Sequence, residues 1–131
     1  MLEGLFTRFA SQFREGGLIH AKFVVTAGPV FTAKSTRSGS SHRKLSLATN
    51  GGTGLLKLTL AGGAREIAVV SAHYVNIADP TDVTDILSLN ILSITESTGE
   101  ITMVSVSGDG AEAAADAIAT DELHFTLYVA K

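Results

Sequence analysis

From residue 18 to the C-terminus, the apolar residues of this chain fall in short runs of alternating phase, separated by clusters of Gly, Ser, Asn and Asp. Alternation sends successive side chains to opposite faces of an extended backbone, so each run reads as a β-strand with one face turned to a core. The last run is the cleanest, with Leu123, Phe125, Leu127 and Val129 on one face and His124, Thr126, Tyr128 and Ala130 on the other. Near the start, Ile19, Ala21, Phe23 and Val25 alternate with His20, Lys22 and Val24. Further strands are predicted over 30–33, 44–48, 55–60, 66–75, 85–95 and 100–107. About eight strands in 131 residues make a single all-β domain, of β-sandwich or jelly-roll-like form.

Two of these strands break their own alternation. Leu87, Leu89 and Ile91 share a phase that Leu92 and Ile94 leave, and Ile101 and Met103 give way to Val104 and Val106. A bulge, or burial on both faces, accounts for such a change. Glu96-Ser97-Thr98-Gly99 is a hairpin turn between the two, Ser107-Gly108-Asp109-Gly110 is a second reversal, and Gly28-Pro29 is a turn after the first strand. Residues 111–119 are alanine-rich and fit either a short helix or an extended crossing at the end of the domain.

Residues 1–15 have a different period. Leu2, Leu5, Phe6, Phe9 and Phe13 recur at spacings of three and four, which gathers them on one face of a short amphipathic helix. Gly16-Gly17 then reads as a helix stop and joint, dividing an arm at 1–17 from the β domain at 18–131. Each buried Phe is worth about 1.5–3 kcal/mol, so something must cover that face. Two destinations are open: the chain's own sheet, or another subunit or scaffold.

Hydrophobic residues at 45% exclude a disordered chain, and 18% charged residues leave a lightly charged surface that partners are expected to cover in part. There is no cysteine, hence no disulfide, thiolate metal site or cysteine nucleophile. No uninterrupted apolar stretch reaches the length of a membrane-spanning helix, and the N-terminus, interrupted by Glu3, Arg8 and Arg14, does not read as a secretory signal. The expectation is a protein made and assembled inside a cell, with no membrane partner.

Charge is unevenly placed along the chain. Residues 16–65 hold seven Lys or Arg and no Asp or Glu, whereas 66–131 hold eleven Asp or Glu and only Lys131. With residues 1–15 neutral, +7 and −10 give the net −3. If folding preserves the division, opposite faces of neighbouring subunits attract and orient one another. The segment 32–44, TAKSTRSGSSHRK, reads as a basic loop carrying Lys34, Arg37, Arg43 and Lys44. It has no aromatic residue for base stacking, so an ordinary solvated loop or docking on an acidic protein surface fits it better than nucleic acid does.

Catalytic and metal-binding motifs are absent. The four histidines, at 20, 42, 73 and 124, have no His-Glu-x-x-His pattern, and no metal or other cofactor is expected. Asp79, Asp82 and Asp85 lack the spacing of a calcium loop and read as turn residues. Asn50-Gly51-Gly52-Thr53-Gly54 lacks the Gly-Lys-Ser/Thr ending of a phosphate loop, and there is no Gly-x-Ser-x-Gly elbow. The chain is read as a non-enzyme.

Three stretches carry a resemblance: the glycine-led strand Gly52-Thr53-Gly54-Leu55-Leu56-Lys57-Leu58-Thr59-Leu60, the apolar strand at 67–75, and Ala113-Ala114-Ala115-Asp116 leading into Asp121-Glu122-Leu123-His124-Phe125-Thr126-Leu127. In these, over residues 50–131, the chain resembles small structural proteins of tailed-bacteriophage virions, of the capsid decoration or cement type. The resemblance implies a symmetric homo-oligomer, often of three copies, attached to the major capsid protein or another virion protein through a terminal arm. It implies no catalytic residues. On this reading Leu5, Phe6, Phe9 and Phe13 dock on the partner, Lys34, Arg37, Arg43 and Lys44 steer the approach, and the protein works at the capsid surface after synthesis in the host cytoplasm. Two alternatives fit the same composition: a tail-fibre, baseplate or spike module, and a carbohydrate-binding β-sandwich. The latter normally needs exposed aromatics, of which Tyr74 and Tyr128 are the candidates.

Overall fold

The computed structural model of the chain describes residues 16–26, 30–38, 45–78, 80–81, 87–108 and 115–130, with 33–38 described by their backbone. Within them lie eight strands: β1 (Gly16–Thr26), β2 (Val30–Ser38), β3 (Leu45–Thr49), β4 (Leu55–Leu60), β5 (Glu66–Val75), β6 (Leu87–Thr95), β7 (Glu100–Ser107) and β8 (Glu122–Ala130). They form two antiparallel four-stranded sheets, β2-β1-β8-β5 and β3-β4-β7-β6. The predicted amphipathic helix lies outside the described residues.

The inward faces of the two sheets share one core, to which β1 contributes Ile19, Phe23 and Val25, β4 contributes Leu56, Leu58 and Leu60, and β8 contributes Leu123, Phe125 and Leu127. Phe23 and Phe125, neighbours on the first sheet, meet edge to face with centroids 6.0 Å apart, a geometry worth about 0.5–1.5 kcal/mol beyond burial itself. Alternation along β8 places His124, Thr126 and Tyr128 on the outer face and the apolar set within, as its sequence predicts, while Ala130, read as outer, is buried as well.

Several expectations are corrected. Gly16-Gly17 is not a joint but the start of β1, paired with Ala130 and Val129 of β8. The Tyr128 ring lies over Gly16, and a Cβ there would come within 2.7 Å of its Cζ, so that the ring would have to swing aside. The segment 32–44 is not wholly a loop, because β2 continues to Ser38, opposite Ile19. Polar composition resembles a loop, but an edge strand needs ladder partners on one side alone, and β1 supplies them. In β7 there is no change of phase: Ile101, Met103, Ser105 and Ser107 all stay inward. Ser105 remains buried because its hydroxyl donates to the carbonyl of Ala115 and its N–H donates to Gly54 O at 2.8 Å. The phase change in β6 is a bulge at Leu92, between Ile91 and Ser93, as expected. Residues 115–121 are non-helical, and Ala115, Ala117 and Ile118 pack against the core as the chain crosses the end of the sheets.

Every odd-numbered strand runs one way and every even-numbered strand the other. All odd-to-even connections therefore fall at one end of the domain, the Asp121 end. All even-to-odd connections fall with Gly16 and Ala130 at the other.

Candidate functional site

This topology converts a sequence asymmetry into a spatial one. Within each sheet the basic-half strands are neighbours, β2-β1 and β3-β4, and so are the acidic-half strands, β8-β5 and β7-β6. Strand order does not interleave the two halves; within the sheets they meet only where β1 pairs with β8 and β4 with β7. The connections add a second polarity, along the strands. The four segments that turn at the Asp121 end, 26–30, 49–55, 75–87 and 107–122, contain no Lys or Arg. They contain Asp79, Asp82 and Asp85 in one, and Asp109, Glu112, Asp116, Asp121 and Glu122 in another. At the Gly16 end the sequence places Arg37, Arg43, Lys44, Arg65 and Lys131 against Glu66, Glu96 and Glu100. By sequence, then, the connections carry acids alone at one end and charges of both signs at the other.

Three of the eight acids have partners: Glu122 lies against His124, and Asp121 and Asp116 hold the connections. Asp121, 1% exposed, accepts hydrogen bonds from Tyr74 Oη at 2.9 Å and from the backbone N–H groups of Ile77 at 2.7 Å and Ala78 at 2.8 Å. Tyr74 in turn accepts from Ile118 N–H at 2.9 Å. Burial pushes the Tyr74 hydroxyl well above the ordinary tyrosine value; the Ile118 N–H opposes this, and the hydrogen bond to Asp121 and its charge reinforce it. The Tyr74 proton is thereby held on the ring oxygen, bonding Asp121. This pair ties the chain leaving β5 to the chain entering β8. Asp116 Oδ1 similarly accepts from Gly54 N–H at 2.9 Å, fixing the crossing against the turn before β4.

The outer face of the first sheet collects polar groups that the sequence scatters. Ladder register sets Lys22, His124 and His73 side by side across β1, β8 and β5, and His20, Thr126 and Ser71 in the next row. His20 Nδ1 and Thr126 Oγ1 share a hydrogen bond of 3.0 Å, and His124 Nε2 lies 3.0 Å from Glu122 Oε1. Three of the four histidines thus occupy one face. Among the described residues no group of three or more His, Asp or Glu is arranged to hold a metal ion.

Of the residues singled out for partner binding, Leu5, Phe6, Phe9, Phe13, Arg43 and Lys44 lie outside the described residues. Lys34 and Arg37 fall on β2, the free edge of the first sheet; Arg37 is opposite His20, and Lys34 is the extra residue of a bulge opposite Lys22 and Phe23. They are edge-strand residues rather than loop residues. The Tyr74–Asp121 pair and the histidine face were missed by the sequence reading. For the histidines a signal existed, since His20 and His124 each fall in the polar phase of an alternating strand.

No family model, no curated protein and no solved structure matches this chain.

Proposed function

We propose that the chain is a non-enzymatic virion structural protein that decorates or cements a bacteriophage capsid by bridging capsid subunits. The observation that supports this most is the strand order of a small two-sheet domain, which keeps the basic-half strands β2-β1 and β3-β4 beside one another and apart from the acidic-half strands, a division suited to recognition by surface rather than by cleft. Leu5, Phe6, Phe9 and Phe13 supply an apolar anchor on the major capsid protein or another virion protein, and Lys34, Arg37, Arg43 and Lys44 steer it. Homo-oligomerisation makes weak contacts persistent, because copies joined to one another engage a repeating lattice almost intramolecularly. Between sandwich and jelly roll, the hairpins β1–β2, β3–β4 and β6–β7, each kept within one sheet, favour the sandwich.

Carbohydrate binding gains nothing from the two tyrosines. Tyr74 is buried on Asp121, and Tyr128 lies over Gly16. The test is co-sedimentation with capsids that lack this protein. Wild type is expected to pellet with them, and Phe6→Ala with Phe9→Ala to weaken pelleting while leaving the β-domain spectrum unchanged. Wild type remaining in the supernatant would overturn the proposal. Unfolding of the double variant would move the apolar segment into the domain's own core.

A further inference from the structure

The connection between β3 and β4 has a tied half and an untied half. Gly54 is tied: its N–H donates to Asp116 Oδ1 at 2.9 Å, its carbonyl accepts from Ser105 N–H at 2.8 Å, and a Cβ on it would run into the backbone of Ser105 and Ala115. Asn50 and Gly51, by contrast, are exposed. Asn50 N–H donates to Leu55 O at 2.8 Å and Leu55 N–H to Gly52 O at 3.1 Å, so the connection closes around the Asn50–Gly51 peptide without using it. Among the described residues, nothing bonds to the Asn50 side-chain amide or to the N–H and carbonyl of that peptide. Gly51 has φ of 79°, and a Cβ on it would meet no heavy atom within 4 Å.

An asparagine so placed has an electrophile beside a nucleophile of its own backbone. Rotation of the peptide and side chain brings Gly51 N onto Asn50 Cγ, glycine offers no Cβ to obstruct the approach, and no hydrogen bond breaks on the way. The other two asparagines, Asn76 and Asn90, are placed differently. Asn76 Oδ1 accepts from Leu87 N–H at 2.9 Å, and the nitrogen that would attack, that of Ile77, donates to Asp121 at 2.7 Å. Asn90 lies within β6 opposite Val104, and its successor Ile91 is β-branched, which crowds the nitrogen.

We infer that Asn50 is a modification site, at which the folded chain deamidates itself through a cyclic imide. Gly51 N bonds to Asn50 Cγ, the Cγ–Nδ2 bond breaks, and Nδ2 leaves as ammonia with the proton from Gly51 N. Water then opens the ring. Cleavage at Cγ leaves aspartate, whereas cleavage at the main-chain carbonyl leaves isoaspartate, with the chain running through Cγ and one backbone atom longer. Because Gly51 N must shed its proton, the rate rises with pH. Either product puts a carboxylate into the 49–55 connection, which holds no charge, at the end where the connections carry acids alone; one negative charge added to the net −3 gives −4. Deamidation at Asn50 does not depend on the virion reading.

The experiment incubates the full chain, folded and in guanidinium, in neutral and mildly alkaline buffers made with heavy-oxygen water, and maps its peptides by mass spectrometry over time. The oxygen label separates conversion during incubation from conversion before it. In the folded chain, residue 50 should become a labelled mixture of aspartate and isoaspartate, faster at higher pH and within about tenfold of its rate in guanidinium, since no opening of the fold is needed. Folded Asn76 and Asn90 should convert at least about tenfold more slowly than Asn50. Asn50→Gln, which would have to close a larger ring, should abolish the labelled product at this position with an unchanged far-ultraviolet spectrum. Conversion at Asn50 slowed more than about tenfold by folding, conversion no faster than at Asn76 and Asn90, or aspartate formed without isoaspartate overturns the inference.

Discussion

The two ends of the two-sheet domain are closed by different means. At the Gly16 end the described connections are short, and backbone bonds to backbone: Leu60 N–H donates to Gly99 O at 2.8 Å, Ala64 N–H to Glu96 O at 2.8 Å, and Arg65 N–H to Ala130 O at 3.0 Å. Close packing of main chain on main chain is what makes this possible. Gly99 has φ of 74°, and a Cβ on it would collide with the carbonyl oxygen of Leu60. At the Asp121 end two connections, after β5 and after β7, are longer, and side chains reinforce the backbone bonds there, through Asp121, Tyr74, Asp116 and Ser105. Short turns satisfy their polar groups locally. Long crossings over a core require polar side chains from elsewhere in the chain to do so.

The comparison is most open to refutation at Asp121. Replacing it with alanine leaves the Tyr74 hydroxyl and the N–H groups of Ile77 and Ala78 without their acceptor. A loss of about 3–5 kcal/mol in urea unfolding is expected, in the range for breaking a buried charged group's partnerships. A loss below about 1 kcal/mol would mean that water replaces the carboxylate readily and that the crossings need no such tie. Gly99→Ala tests the other end. The left-handed backbone and the clash with Leu60 should together cost about 2–3 kcal/mol, since main chain on both sides has little room to yield. Should the two losses fall in the reverse order, the backbone-closed end would be the more critical one.

The smallest effect sharpens the comparison most. Tyr74→Phe should cost about 1–2 kcal/mol, because it strips one hydrogen bond from Asp121 and one from Ile118 N–H while keeping the ring in the core. It should also alter behaviour in alkali. The folded hydroxyl holds its proton above the unfolded value of about 10, so between these values the native state binds the extra proton. Stability contributed by this group is fully present below about pH 10 and is lost as pH rises further, by at most about 1.4 kcal/mol per pH unit. Unfolding measured from pH 8 to 11 should show this decline in the wild type and a shallower one in Tyr74→Phe. Equal slopes would show that Tyr74 is not the group responsible.

Most strands were legible because alternation is a local property. The two faces of β8, the bounds of β4, β5 and β7, and the bulge in β6 are all written in the order of apolar and polar residues. The Glu96–Gly99 turn was legible for the same reason, with its glycine at the position that needs positive φ. Local pattern misled at the start of β1 and the end of β2, where Gly16-Gly17 and a Ser/Thr-rich stretch resemble a joint and a loop. There the ladder with β8 and β1 decided the outcome, and a ladder partner distant in the chain leaves no local mark. Ser105 is the converse case: a polar residue kept inward because Gly54 and Ala115, brought to it by the fold, satisfy it.

What the sequence by itself determined is the all-β class, most strand positions, the inward face of most strands though not of all β7, and the division of charge into a basic and an acidic half. Strand order was decided in three dimensions. It kept those halves apart within each sheet, gathered three histidines on one outer face, and joined Tyr74 to Asp121 across 47 positions. The physical reason is that alternation fixes where a side chain points relative to its own strand, whereas its neighbours across the ladder and across the core are fixed only when all strands bury their apolar faces together.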